Sequence, residues 1–187
     1  LQPGARFAAH LVQLARAKAL AVARRHPRAF VIGADTVLLF GGKVIGKPAD
    51  AEDAVTILQR LAGHTHRIST AVCVVGPRTP GRRRDVRAGM ATARVTFRPL
   101  SALAIRRYVR TASPFACAGA YAVQGPGKAL IAQIKGDVNT VIGLPMDLVK
   151  ELLRRAGYPR YTSSCVPTSS STISFAVRRR INTMRYS

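Results

Sequence analysis

From Ala5 to Arg25, Phe7, Leu11, Leu14, Ala15, Lys18 and Val22 recur at three-to-four spacing, which predicts an amphipathic helix ended by His26-Pro27. The pattern then changes to an unbroken apolar run. Phe30 to Ala34 reads as a short buried strand; Val37 to Phe40 and Val44 to Ile45 flank Gly41-Gly42, a two-residue hairpin turn of the kind glycine permits. Asp50 is placed to cap a helix reaching Leu61, with Asp53 as a weaker capping-box acid and Gly63 at the far end. His66 to Val75 is apolar and β-branched, and Met90 to Phe97 alternates, so two strands are predicted to pair across the loop Gly76 to Gly89. Ser101 caps a predicted helix carrying Leu103, Ile105, Tyr108 and Val109. Residues 118–127, AGAYAVQGPG, form a glycine-rich loop suited to close approach by a ligand or another backbone. Ala129 to Ile134 reads as a strand, and Gly143-Leu144-Pro145 opens a last helix running to Arg155.

These elements, with 48% apolar content in 187 residues, predict one domain over 1–158 with a buried core. Beyond Pro159 the chain turns to TSSCVPTSSSTISF and then Arg178, Arg179 and Arg180, so 159–187 is expected to be a disordered appendage. No apolar run approaches the roughly 20 residues of a membrane span, and LQPGARFAAH lacks the apolar core of a secretory signal. A soluble cytoplasmic protein without a membrane partner is expected. The first residue is Leu rather than Met, so the chain is expected to be a fragment whose beginning lies upstream. Cys73, Cys117 and Cys165 are widely spaced and odd in number, which argues against a disulfide framework and a zinc knuckle.

Charge alters the picture most. Thirty basic residues against eight acidic ones give a formal +22, a field that attracts polyanions. A dedicated nucleic-acid role is nevertheless disfavoured, because the arginines are scattered, aromatics are only 6% and Trp is absent. Small anionic substrates such as nucleoside triphosphates profit from the same field.

Asp35 directly follows a buried run and is one of only eight acids, so it is the leading candidate for a ligand-handling carboxylate at a strand's carboxyl end. It could ligate Mg²⁺ or act as general base on a metal-bound water; the plainer alternative is a turn acid. Lys47, in GKP, could hold a phosphate or be a solvated lysine. His64 and His66 are expected to face one side of a strand, but two ligands without a third make a poor zinc site. Cys117 has no nearby histidine and reads as a packing thiol. Arg82 to Arg84 reads as a solvated loop. Tyr121 and Gln124 flank the glycine loop, where an amide can read a base edge or pin the turn; Asp137 and Asn139 precede the last helix and read as capping residues more than ligands.

Taken together, GADTV at 33–37, GKPADAEDA at 46–54, the L..LAGHTH pattern ending at His66, TAV at 70–72, VTF at 95–97, AGAYAVQG at 118–125 and VIGLP at 141–145 resemble the Maf family of nucleoside triphosphate pyrophosphatases, in order and spacing, from about residue 11 to residue 157. The resemblance implies an α/β fold with a mixed twisted sheet flanked by helices, here without the family's first strand. It further implies a homodimer that hydrolyses a nucleoside triphosphate to the monophosphate and pyrophosphate with a divalent metal, Mg²⁺ or Mn²⁺. By position, Asp35 matches the family's catalytic, metal-side acid, Lys47 its phosphate lysine, and Lys18 a further lysine of the site region. Thr36 and Gln124 match positions associated with base selection in the branch acting on dTTP and UTP. The family's opening SxSPRR has no counterpart in LQPGARF, and Ser113-Pro114 and Ala116-Cys117 stand where it commonly has two acids and a lysine. The Cys-Ala-Gly wording and GDVNT at 136–140 resemble a sister branch acting on 7-methyl-GTP, which typically carries Glu at the position of Gln124. Hydrolysis of dTTP or UTP is the reading that follows, with 7-methyl-GTP, or a catalytically impaired homologue binding polyanions through its basic surface, as alternatives.

Overall fold

A computed structural model describes residues 5–158, 173–177 and 180–184, with side chains described over 7–158. Its elements run α1 (Ala5–Ala23), β1 (Phe30–Phe40), β2 (Lys43–Ile45), α2 (Ala51–Leu61), β3 (Thr65–Val75), β4 (Val86–Phe97), α3 (Ala102–Ala112), β5 (Ile131–Lys135), α4 (Val138–Ile142), α5 (Met146–Arg155), β6 (Ile173–Val177) and β7 (Arg180–Met184). Strand order is β5-β4-β3-β1-β6-β7, with β2 paired to β1. The sheet is mixed as expected: β1 is parallel to β6 and antiparallel to β2, and β5 is antiparallel to β4. Within the stretch read as an appendage, 173–177 and 180–184 are strands; the remainder of 159–187 lies outside the described residues. Among the described residues no helix is long and apolar enough to cross a membrane.

The described residues divide into two compact units, one of 36–70 and 91–145, the other of 5–35, 71–90, 146–158, 173–177 and 180–184. In the first, the apolar face of α2 (Ala54, Val55, Leu58, Leu61) meets Val95 and Phe97 of β4 and Ile105, Tyr108 and Val109 of α3. Local chemistry sets the helix ends. Asp50 Oδ1 accepts from the Asp53 backbone N–H at 2.8 Å, and Asp53 returns the favour to the Ala49 N–H at 2.9 Å. Ser101 Oγ accepts from Ala104 N–H at 3.2 Å to start α3. Gly41 and Gly42, with φ of +57 and +76, make the hairpin that sets Phe40 opposite Lys43. His66 lies inside this core, its ring edge-on to Phe97 and Tyr121 at centroid distances of 5.1 and 5.4 Å, with Nε2 hydrogen-bonded to the Tyr121 hydroxyl at 2.7 Å. Burial holds its imidazole at about 4 instead of 6.5.

In the second unit, the buried stripe of α1 is Leu11, Ala15, Ala19 and Ala23, at strict four-residue spacing. Leu14, assigned to the apolar face by periodicity, is 39% exposed instead, because alanines rather than larger side chains make the contact. The Arg82–Arg84 stretch is only partly solvated: Arg84 Nη1 donates to the carbonyl of Ala23 at 2.8 Å and Nη2 to that of Pro27 at 3.2 Å, closing the C-terminal end of α1. Phe30 packs edge-on to Tyr158 at 5.0 Å.

Several boundaries move. The predicted strands 30–34 and 37–40 are one continuous strand, since Asp35 and Thr36 are both accommodated in the ladder. β4 begins at Val86, shortening the expected loop, and the last helix is preceded by a separate five-residue helix, α4, which Asp137 caps. Leu103 is 71% exposed and contributes nothing to the core of α3.

Because unfolded His66 binds a proton near 6.5 and folded His66 only near 4, the unfolded state holds the extra proton between those values, and stability falls as pH drops from about 6.5 to 4. The loss attributable to this group is up to about 3 kcal/mol. Urea denaturation across that range should show the decline in the native chain and a flatter profile in His66→Gln, whose amide can still reach Tyr121.

Candidate functional site

Asp35 lies in the middle of the 11-residue β1, not at a strand's carboxyl end as the apolar run before it suggested. Its position against α1 is set two residues earlier. A Cβ built on Gly33 would stand 2.5 Å from the carbonyl oxygen of Ala15 and 2.7 Å from the backbone N of Ala19, so only glycine lets the helix backbone lie directly on the strand. Lys18 is one residue before Ala19. Its Nζ reaches across to Asp35 Oδ1 in a close ion pair and to the carbonyl of Ala34 at 3.4 Å. Both side chains are about one-quarter or less exposed, at 26% for Lys18 and 20% for Asp35, so the pair is sheltered while still open to solvent on one side.

Thr36, next along β1, belongs to the other unit and to a different network. Its hydroxyl lies 2.9 Å from that of Thr70, and Thr70 Oγ1 donates to the carbonyl of Thr140 at 2.7 Å. A hydroxyl has one proton. Thr70 commits its own to a carbonyl that can only accept, so Thr36 must be the donor to Thr70 and presents only lone pairs to any further partner. Gly143, at φ +110, covers this hydroxyl so closely that a Cβ would lie 3.2 Å from Thr36 Oγ1. Asp137 fixes α4 beneath it by accepting from Asn139 N–H at 2.9 Å and from its side-chain amide at 3.0 Å, the capping role expected of this pair.

Lys47 and Gln124 are exposed on loops of that same unit, without a hydrogen bond to another candidate residue among the described residues. The Lys47 loop is tied to the glycine loop through Gly119 N–H donating to the Gly46 carbonyl at 2.9 Å. Cys117 is half-buried nearby, its thiol pushed up by burial against a weaker opposing pull from Lys47, consistent with a packing thiol. His64 is exposed ahead of β3 while His66 is in the core, so the two do not share a face.

Among the described residues no three His, Cys, Asp or Glu side chains cluster as metal ligands. A lone carboxylate does not fit a resident ion in an all-protein cage. It does fit Mg²⁺ or Mn²⁺ arriving on a nucleotide's phosphates, because such ions keep several waters and need only one or two carboxylates from the protein.

Thr70, Thr140 and Gly33 escaped the sequence reading as positioning residues. The available signal for Thr70 was a hydroxyl, beside that of Ser69, inside the otherwise apolar run 68–75, which when buried must find a partner.

Replacing Gly33 by Ala puts a methyl group into the helix backbone, so α1 must lift from β1. The variant is expected to lose about 1 to 3 kcal/mol of stability in chemical denaturation. It should also lose the Lys18–Asp35 contact, read as altered Lys18 and Asp35 side-chain shifts by NMR.

The chain matches the Maf-like protein family over residues 3–156. It is 42% identical over 151 residues to a dTTP/UTP pyrophosphatase of Myxococcus xanthus (strain DK1622), covering 81% of this chain and 74% of that relative. It is 44% identical over 161 residues to a dTTP/UTP pyrophosphatase of Anaeromyxobacter sp. (strain Fw109-5), covering 85% and 75%. A dTTP/UTP pyrophosphatase of Aquifex aeolicus (strain VF5) is 43% identical over 142 residues, covering 76% and 72%. A match across most of the chain, together with relatives above forty per cent identity, places it: the chain belongs to the Maf family.

Proposed function

We propose that the chain hydrolyses dTTP or UTP to the nucleoside monophosphate and pyrophosphate. The observation that carries this reading is the sheltered Lys18–Asp35 pair on β1, with the names of the relatives in support of the substrate. Lys18 occupies Oδ1 of Asp35 and fixes the carboxylate plane, which leaves Oδ2 to accept a proton from the attacking water. The water oxygen bonds to the α-phosphorus, the bond from that phosphorus to its bridging oxygen breaks, and pyrophosphate departs with the electron pair. Lys47 supplies a cation for the departing phosphates. Asp35 would hold a divalent cation brought on the substrate, which when bound would neutralise phosphate charge. Positioning and electrostatics suffice, and no nucleophilic Ser or Cys takes part.

Base choice is assigned to Thr36 and Gln124. A Thr36 hydroxyl that offers only lone pairs suits a ring N–H donor, which the pyrimidine edges of uracil and thymine carry, while the Gln124 amide can both donate and accept. The family likeness also supports a homodimer working in the cytoplasm. Recognition of 7-methyl-GTP is the second reading, favoured by Cys117-Ala118-Gly119 and by GDVNT at 136–140.

Pyrophosphate release from a nucleotide panel with Mg²⁺ or Mn²⁺ tests the assignment. Asp35→Asn should lower kcat at least about 100-fold, and Lys47→Ala should raise KM. Undiminished activity in Asp35→Asn would remove that residue from the chemistry, and preference for 7-methyl-GTP would transfer the chain's specificity to the sister branch.

A further inference from the structure

Two of the scattered arginines and one lysine fall into line on β3, β4 and β5. Thr65 and Thr96 are hydrogen-bonded through their hydroxyls at 2.8 Å, and Ser69 and Thr92 likewise at 3.1 Å. As the numbering rises by four along β3 it falls by four along β4, so the two strands are antiparallel and Arg67 stands opposite Arg94. Arg94 in turn is the cross-strand partner of Lys135 on β5. Three cations therefore lie in one row across three neighbouring strands of one compact unit, on the face away from His66, Ile68 and Val95. Arg94 and Lys135 are exposed and Arg67 is half-buried.

Like charges directly opposite one another destabilise a sheet, so a row of three calls for a counter-charge. Among the described residues none is supplied. The chain has eight acids, and every one is engaged elsewhere. Asp35 pairs with Lys18, Asp85 with Arg87, Glu52 with Arg106, Asp147 with Lys150, and Glu151 with Arg154 and Arg155. Asp50, Asp53 and Asp137 accept backbone N–H groups at helix starts.

We infer that the Arg67–Arg94–Lys135 row binds the phosphate backbone of a nucleic acid. Strands about 4.8 Å apart put roughly 10 Å between the outer cations, a length that one strand of a duplex covers with about three phosphates. Thr92, Thr96 and Gln133, which flank the row on its face, are polar, so the row itself offers nothing apolar to a bilayer. No aromatic side chain stands among them to stack a base, so recognition is through charge and without sequence preference. The inference is independent of the hydrolytic reading and its test uses no turnover.

Fluorescence anisotropy of a labelled duplex DNA of random sequence, titrated with the full chain across roughly 50 to 200 mM salt, measures both affinity and the slope of log K against log salt. The variant R67T/R94T/K135T is compared with R82S/R83S/R107S, which removes the same net charge from exposed positions elsewhere. The row variant is expected to lose about 2 to 3 from the slope, and tenfold or more in affinity at the lower salt, with a melting temperature equal to or above that of the native chain. The control variant should lose clearly less on both counts. Equal losses in the two variants would show that overall charge and not this row does the binding. Native affinity retained in the row variant would overturn the inference. So would row-dependent binding to phosphatidylcholine vesicles containing phosphatidylserine with no row-dependent binding to DNA.

Discussion

The approach of α1 to β1 at Gly33 is the constraint on which the candidate site depends. Helix and strand backbones meet there with no side chain between them, since a single methyl group would fall 2.5 Å from the Ala15 carbonyl oxygen. Ala15, Ala19 and Ala23 keep the helix side of the contact small for the same reason. At a more usual helix-to-strand spacing, a lysine at position 18 would extend into solvent. At this spacing its ammonium reaches Asp35, two residues beyond the glycine on the strand. Shape thus precedes charge: backbone contact creates the geometry, and the ion pair occupies it. A part-exposed ion pair contributes little stability by itself, which is a reason to see it as chemical equipment.

A second network shows how polarity can be transmitted through hydroxyls. The Thr140 carbonyl, held by a helix that Asp137 caps, claims the proton of Thr70, and Thr70 then claims that of Thr36. The outcome at Thr36 is an acceptor with no donor to offer, a specification that no inspection of one threonine would reveal.

Much of this was legible in the chain. Asp50, Asp53 and Ser101 capped the helices they were expected to cap, because those hydrogen bonds are local and need nothing from the rest of the fold. The Gly41-Gly42 hairpin was equally local. The ordered motifs from GADTV to VIGLP marked the family before any geometry was known. What local pattern missed was set by tertiary partners. Asp35 and Thr36 broke the apolar run and suggested a strand end, yet each had a partner, Lys18 for one and Thr70 for the other, which allowed β1 to continue through both. Arg84 looked solvated because the carbonyl of Ala23 is 61 residues away in sequence. The alignment of Arg67, Arg94 and Lys135 depended on cross-strand register, which composition cannot contain.

In the proposed reaction, water attacks the α-phosphorus of a nucleotide under the control of the Lys18–Asp35 pair. Hydrolysis of dTTP in ¹⁸O-labelled water, with both products read by mass spectrometry, tests it most directly. Label is expected in the nucleoside monophosphate and none in pyrophosphate. Label in pyrophosphate or in free phosphate would place the attack at a different phosphorus and contradict it.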